Sequence, residues 1–413
     1  MHEKLSVNTE IKARELKKVP KSIWALGFVS MLMDISSDFI NSLLPLYMSS
    51  VLGIGVVFIG LIEGIAESLV LMIKIFSGVL SDIIKKRKIF TVLGYGLSAC
   101  AKVIFPFAST VGLLLFARVT DRLGKGLRDA PRDALLGELA PASIRGLCFG
   151  LRQSLDNVGA FIGPLFAMIA IMTFTDNFRT LFWIAVIPAF LSVILLIIGV
   201  HEPKKYDGLI AKNIKFSLSY KEIGNLSPRY WLVVIIATAL TFARFSQAFL
   251  VLRSTTVGMS FAMVPLVAMV MNFFSAASAY YAGYLSDKIN RLFFIIAGFI
   301  VLITSEIILG YAHSPQHLIA GVSLWGLHLG LTQGVFDALI VDTTQSDIRG
   351  SAFGIFNFIC GIATIISNLV AGLLWKYYSP EATFFGGAAF TVIALIFFVI
   401  KLIYNHSKLY KIK

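Results

Sequence analysis

One predicted helix of this 413-residue chain carries a stripe of ionisable side chains. At about 100° per residue, one face of segment 110–138 holds Arg118, Asp121, Arg122, Lys125, Asp129, Arg132 and Asp133. Charged side chains inside a bilayer are costly and mark functional sites by default, so residues 118–125 are interpreted as part of a solute or ion pathway. The plainer alternative is that these charges pair along the helix, Lys125 with Asp129 and Asp129 with Arg132, and that the lower ones emerge into water.

Carboxylates on two other predicted helices suggest ion coupling. Asp34 and Asp38 share the polar face of the first helix, and Glu63 and Glu67 share one face of the second. Carboxylates and arginines that change partners between two conformations can load and release a proton. The same side chains could instead form static salt bridges that hold the helices together. The remaining candidate substrate or coupling residues are Arg152, Asp156, Arg244, Gln247 and Asp337.

The balance of charge among the interior candidates predicts the class of solute. Cations are in excess at Arg118, Arg122, Lys125, Arg152 and Arg244. A cavity lined in this way is expected to select an anionic or zwitterionic solute, such as a carboxylate metabolite, a siderophore or an acidic drug.

Composition excludes a soluble protein. Hydrophobic residues make up 57% of the chain and charged residues 14%, against about 45–50% and about 25% in soluble domains. Apolar runs of about 20 residues recur between short polar breaks, and such runs cross a bilayer as helices. The formal net charge of +13 lies mainly in those breaks, so membrane topology explains it better than nucleic acid binding. No Walker loop, nucleophile elbow or metal-ligand spacing occurs, so the sequence predicts neither an enzyme nor a bound cofactor or metal.

The apolar runs predict an all-α membrane protein with twelve spans. They are 22–51, 56–83, 89–108, 110–138, 144–172, 179–200, 230–254, 260–286, 292–312, 316–341, 348–377 and 383–404. We expect an N-terminal segment 1–21, a first six-helix bundle 22–200, a loop 201–229, a second bundle 230–405 and a tail 406–413. Lys and Arg are concentrated in alternate gaps, which places both termini in the cytoplasm by the positive-inside rule.

An internal repeat relates the two bundles. Adding 204 to residues 133–135 (Asp-Ala-Leu) and 144–146 (Ile-Arg-Gly) reaches the same triplets at 337–339 and 348–350. An offset of 205 carries Gly-Val-Leu-Ser-Asp at 78–82 onto Gly-Tyr-Leu-Ser-Asp at 283–287. Parallel halves with the solute site between them near the membrane midplane characterise one large class of secondary transporters.

The segment after the second span carries a motif of that class. Gly78, Asp82, Lys86 and Arg87 match the signature between the second and third helices of the major facilitator superfamily, and Gly283 and Asp287 repeat part of it. The chain resembles this superfamily along nearly its whole length, although Ile83 replaces the usual Arg and Lys85 the usual glycine. The resemblance implies a monomer of the bacterial inner membrane that moves a small solute by alternating access. It also implies a proton or sodium ion as the coupling partner, and a gating role for the six motif residues.

Two further matches bear on coupling and direction. Arg118 and Gly124 partly match the superfamily's fourth-helix signature, whose Arg is tied to proton coupling in the family, with Asp121 and Arg122 at its usual Gln and Gly. Gly150, Gly159, Gly163 and Pro164 resemble the spacing of its antiporter signature, which implies proton-coupled efflux. A generic packing seam would explain the glycines equally well. A proton- or sodium-coupled importer and a non-transporting sensor with the same fold remain as alternatives.

Overall fold

The computed structural model describes residues 18–84, 86–174, 177–201, 226–286, 290–345 and 348–410. It consists of long helices joined by short turns. In the first half they are α1 (Lys21–Leu46), α2 (Val56–Ile84), α3 (Arg87–Ile104), α4 (Val111–Leu139), α5 (Arg145–Thr173) and α6 (Phe178–Gly199). In the second half they are α7 (Pro228–Ala243), α8 (Gln247–Thr256), α9 (Pro265–Ser286), α10 (Arg291–Gly310), α11 (Pro315–Thr343), α12 (Arg349–Tyr377) and α13 (Pro380–Tyr410).

The number of spans agrees with the sequence. Eleven spans among the described residues are long and apolar enough to cross a membrane, with α7 and α8 together counting as one. The twelfth is α4, whose 29 residues contain the charged stripe and therefore lower its hydropathy. The predicted twelve-span, all-α architecture is confirmed.

The seventh span is broken, although the sequence predicts one helix over 230–254. The backbones of Arg244 (ψ 101°) and Ser246 (ψ 148°) are extended between α7 and α8. The Ser246 hydroxyl accepts the N–H of Ala248 at 3.3 Å, and the Ser246 N–H donates to Oδ1 of Asn368 in α12 at 2.8 Å. These bonds satisfy backbone and cap groups that a helix end would leave unpaired.

The two halves meet along two helix pairs, α2 with α12 and α5 with α9. Glycines let α2 and α12 approach closely, since a Cβ built on Gly60 would lie 2.4 Å from the carbonyl oxygen of Asn368. In the other pair, Asn272 donates to the carbonyl oxygen of Ala160 at 2.8 Å. The site between the halves is therefore walled on both sides by close helix contacts.

Apolar packing joins the halves at one end of the molecule. At the end where α1 stops, Leu43 and Tyr47 share a buried cluster with Ala248 and Leu252 of α8. At the end where α1 starts, the buried cluster among the described residues contains residues of the first half only. The space between the halves is thus closed at the first end and is not closed by such a cluster at the second.

Candidate functional site

A cavity of about 450 Å³ lies between the two halves. Three first-half helices (α1, α2 and α4) and five second-half helices (α7, α8, α9, α11 and α12), with the α7–α8 linker, contribute side chains to its wall. The charged and polar lining residues are Asp38, Asn41, Glu63, Glu67, Arg118, Arg122, Lys125, Thr241, Arg244, Ser246, Gln247, Gln333 and Thr364. Eight of the thirteen predicted substrate or coupling residues are in this set: Asp38, Glu63, Glu67, Arg118, Arg122, Lys125, Arg244 and Gln247.

Arg118 is held on both sides at the first-half wall. Its guanidinium lies 2.5 Å from Oε2 of Glu63 and donates to Oδ1 of Asn41 at 2.6 Å. Arg118 and Glu63 are each 3% exposed, which makes this a buried, hydrogen-bonded ion pair. Breaking such a pair leaves an uncompensated buried charge. Arg118 is therefore fixed by protein partners rather than free to bind a solute in this conformation.

Three other cations face the cavity without a close carboxylate. Arg122 donates to Asn41 at 2.8 Å, and its nearest carboxylate oxygen, on Asp121, is 3.7 Å away. The side chains of Lys125 and Arg244 form no ion pair or hydrogen bond with any described residue. The pairing of Lys125 with Asp129 proposed from the sequence is thus not present here, whereas Asp129 does lie 3.6 Å from Arg132.

Asp121 lies behind the cavity wall. Its Oδ1 accepts from Nζ of Lys102 in α3 at 2.7 Å, and both side chains are almost fully buried. Ser98 adds to this contact by donating to the backbone carbonyl of Asp121 at 3.1 Å. Asp121 therefore joins α3 to α4 and orients the segment that bears Arg122.

The lower charges of α4 form a network with α1, α3 and α5. Arg128 donates to Ser98 at 2.6 Å and lies over the ring of Tyr95 at 4.6 Å. Arg132 lies 3.0 Å from Asp133, and Asp133 is 3.7 Å from Arg152. Arg152 also pairs with Asp156 one turn along α5. The static pairing considered from the sequence thus applies to this lower group.

The two aspartates of α1 face the glycines of α5. A Cβ on Gly159 would lie 2.5 Å from the Met31 carbonyl oxygen and 3.1 Å from Cβ of Asp34. A Cβ on Gly163 would lie 2.6 Å from the Ile35 carbonyl oxygen and 3.2 Å from Cβ of Asp38. Close packing at these two positions therefore fixes the segment that carries both carboxylates. Gly150 has nothing within 4 Å and does not belong to this contact.

A hydrogen bond across the two halves links Glu67 to the broken span. The Ser246 hydroxyl lies 3.1 Å from Oε1 of Glu67 in α2. Asp38, by comparison, has an Asn41 amide at 3.2 Å as its polar contact. Both carboxylates line the cavity, so they share one space with Arg122, Lys125 and Arg244.

A side pocket of about 260 Å³ adjoins the cavity within the second half. Arg244 and Gln333 line both spaces, and Asp337, exposed to solvent, lines the side pocket. Trp325 lines the main cavity and Phe336 the side pocket.

Two ion pairs near the predicted gating motif occupy positions that the internal repeat relates to each other. Arg87 pairs with Glu138, and Arg291, at 87 + 204, pairs with Asp342, at 138 + 204. Gly78 lies against Ala130 of α4, since a Cβ there would be 3.3 Å from that side chain. Lys86 immediately precedes α3, and a Cβ on Gly283 would meet nothing within 4 Å. The Asp82 side chain and all of Asp287 lie outside the described residues.

Two of the buried ionisable residues that the sequence analysis missed stand alone in their spans. Lys102 is 1% exposed and Glu306 is 0% exposed. The cost of burying a charge in a membrane span, which identified the α4 stripe, applies to both. They escaped notice because each stands alone in its span rather than in a stripe.

Known proteins resemble this chain along nearly its full length. The family model described as Major Facilitator Superfamily matches residues 26–253 and 233–409. An uncharacterised MFS-type transporter of Methanocaldococcus jannaschii is 32% identical over 385 residues, 92% of this chain and 94% of that protein. The staphyloferrin B transporter of Staphylococcus aureus is 25% identical, over 94% of this chain and 95% of its own. The crystal structure of a POT family transporter in complex with 5-aminolevulinic acid has a TM-score of 0.78 and 16% identity, covering 94% and 96% of the two chains.

Proposed function

The chain belongs to the Major Facilitator Superfamily, and on that premise we propose that it moves a small anionic or zwitterionic solute by alternating access, coupled to protons. It is a multi-pass membrane protein and a secondary transporter. The single observation that carries the choice of solute is the set of cavity cations without a close carboxylate: Arg122, Lys125 and Arg244. Cations without a close carboxylate partner can form charge-assisted hydrogen bonds with a bound carboxylate, and they repel a bound cation.

We place the coupled proton on Asp34 or Asp38. Asp38 lines the cavity with one amide contact, and Asp34 lies one turn away on the same helix. Carboxylates so placed can be protonated from the cavity and can then be shielded when the halves close. The membrane is proposed to be a bacterial inner membrane, with the start of α1 on its cytoplasmic side.

Efflux is the proposed direction. Gly159 and Gly163 pack α5 onto the Asp34 and Asp38 segment so closely that no Cβ fits. Such a seal would limit proton leak while the solute site is empty, which an antiporter needs because its two ligands bind in turn.

Uptake by proton symport is the second candidate, and the charge of the cavity favours it. Asp38 and Glu67 share the cavity with Arg122, Lys125 and Arg244. Protonation of either acid makes the cavity more positive and so strengthens binding of an anion. Proton and anion would then bind together rather than in turn.

A sodium-coupled importer would depend on the same acids. Transport that does not respond to sodium at fixed pH would exclude this alternative.

Inside-out vesicles test solute, coupling and direction together. Citrate, succinate and 5-aminolevulinate are offered as labelled probes, with tetraphenylphosphonium as a cationic probe, while the lumen is acidified. An exporter fills the vesicles with an anionic or zwitterionic probe, whereas a symporter empties preloaded ones.

Asp34→Asn combined with Asp38→Asn should abolish gradient-driven accumulation and keep solute exchange. Transport of the lipophilic cation alone would refute the proposed solute class, and no transport of any probe would favour the sensor.

A further inference from the structure

Glu306 is a buried carboxyl group outside the cavity. It lies in α10 with 0% of its surface exposed, and it forms no ion pair with any described residue. Thr391 of α13 makes the hydrogen bond to its Oε2 at 3.0 Å, and Oε1 has no partner among the described residues. Nothing in the proposed transport chemistry uses this group.

Hydrogen-bond accounting favours the neutral form of Glu306. Oγ1 of Thr391 lies 3.0 Å from Glu306 Oε2 and also 2.9 Å from the carbonyl oxygen of Gly387. A hydroxyl has one hydrogen to donate. Both short contacts contain a hydrogen only if the carboxyl group supplies one, with Oε2–H donating to Thr391 and Thr391 donating to Gly387. A carboxylate would instead leave a buried negative charge with at most one donor, which is strongly unfavourable.

The carboxyl group lies beside the break in the seventh span. A Cβ built on Gly387 would be 2.3 Å from Oε1 of Glu306 and 3.3 Å from the carbonyl oxygen of Ala243, the last residue of α7. Glycine at 387 therefore leaves the space that the carboxyl group occupies. Arg244 and Ser246, directly after Ala243, line the main cavity. Glu306 therefore lies near the backbone segment whose next residues line the cavity.

The repeat places Glu306 opposite Lys102. Position 102 + 204 is 306, and the two side chains are both buried in corresponding helices, α3 and α10. Lys102 is neutralised by Asp121, whereas the residue at 121 + 204 is Trp325. The second half keeps an ionisable group at this interior position but has no countercharge for it there.

We propose that Glu306 is a proton-binding site of the second half, which holds a proton in this conformation and exchanges it when the break in the seventh span moves. The proton passes between Oε2 and water that enters beside Ala243, and no other bond changes. The charged or titratable groups on the elements around it are Arg291 at the start of α10, Arg229, Tyr230 and Arg244 at the ends of α7, Arg253 of α8, Tyr280 and Tyr281 of α9, His317, His328, Asp337 and Asp342 of α11, and Glu381 and Lys401 of α13. None of these forms an ion pair with Glu306.

Infrared difference spectroscopy of the purified protein tests the protonation directly. The spectrum of the unsubstituted protein minus that of Glu306→Gln should contain the C=O stretching band of a protonated carboxyl group. Glu381→Gln is the matched control, because Glu381 is ion-paired with Arg253 at 2.5 Å and should yield a carboxylate band instead. Glu306→Gln keeps shape and neutrality, so its melting temperature should stay close to that of the unsubstituted protein. A carboxylate band for Glu306, or unfolding of this isosteric variant, would overturn the proposal.

Proton exchange is tested without any solute. A cysteine introduced by Gln333→Cys in a chain without native cysteines reports opening of the cavity through its rate of maleimide labelling. The pH dependence of that rate should be shallower when Glu306→Gln is added, because opening then exchanges one proton fewer. The pH dependence of Gln333→Cys combined with Glu381→Gln should be unchanged. If Glu306→Gln leaves the pH dependence as it was, Glu306 is a static buried acid and the exchange is refuted.

Discussion

Arg122 and Arg118 are one turn apart at the residue scale, yet only Arg122 is available to a solute. Arg118 is bonded to Glu63 and Asn41, while the carboxylate nearest to Arg122 is 3.7 Å away and already accepts from Lys102. We expect Arg122→Gln to remove one charge-assisted bond, about 1.5–3 kcal/mol, which weakens anion binding roughly 10- to 100-fold. Binding is measured by calorimetry with the anion that the vesicle assay selects. Arg179→Gln, an exposed cation at the start of α6, is the control, and equal affinity of both variants would contradict the assignment.

The Lys102–Asp121 pair sets a second prediction at this scale. Both side chains are buried and 2.7 Å apart, so Lys102→Met alone leaves Asp121 without its main partner. Loss of one member of such a pair destabilises a protein by about 3–5 kcal/mol, and replacing both by apolar residues is often neutral. Lys102→Met should lower the melting temperature in detergent, and adding Asp121→Leu should restore most of it. A double variant less stable than the single one would show that Asp121 does more than neutralise Lys102.

Single residues were predictable where they formed a pattern. The stripe on α4 was visible from its helical spacing, and eight of the predicted interior residues line the cavity. Their partners were not visible, because Glu63 and Asn41 reach Arg118 from other helices across 55 and 77 residues of chain. Lys102 and Glu306, each alone in its span, have no local pattern at all.

At the scale of helices, the contact between α1 and α5 gives a prediction with an internal control. A Cβ on Gly159 would lie 2.5 Å from the Met31 carbonyl oxygen, whereas a Cβ on Gly150 would meet nothing within 4 Å. Gly159→Ala should force the helices apart at Asp34 and cost about 1–3 kcal/mol by overpacking. Proton leak in proteoliposomes should rise while Gly150→Ala remains silent. If both variants leak alike, or neither does, the glycines only pack the helices together and do not form a seal against protons.

Helix positions followed from the sequence, but one helix break did not. Apolar runs between polar gaps gave twelve spans because a membrane requires length and apolarity from each. The interruption at Arg244, Phe245 and Ser246 contains no Pro or Gly. It is supported from outside, by Asn368 on the Ser246 N–H and by Glu67 on the Ser246 hydroxyl. Long-range contacts of this kind leave no trace in local hydropathy.

At the scale of the whole molecule, the repeat extends from sequence to contacts. The ion pairs Arg87–Glu138 and Arg291–Asp342 are related by the same offset of 204 that relates the sequence triplets. Each ties the start of one helix to the end of the next, within its own half. We therefore expect each half to move as one bundle, so that the contacts between the halves are those that change during transport.

The asymmetric closure of the molecule predicts which residues can be reached from which side. Leu252 is 4% exposed in the cluster that joins α1 and α8, whereas Gln333 is exposed and lines the cavity. Cys100, Cys148 and Cys360 are first replaced, and Gln333→Cys and Leu252→Cys are then compared for labelling by a membrane-impermeant maleimide. If this conformation dominates and the opposite one is about 0.1–10% populated, the cysteine at 333 should react at least about tenfold faster, and only from the face on which α1 starts. A transported anion that speeds exchange should raise labelling at 252 from the opposite face. Equal labelling of position 333 from both faces would instead indicate a continuous pore, which alternating access forbids.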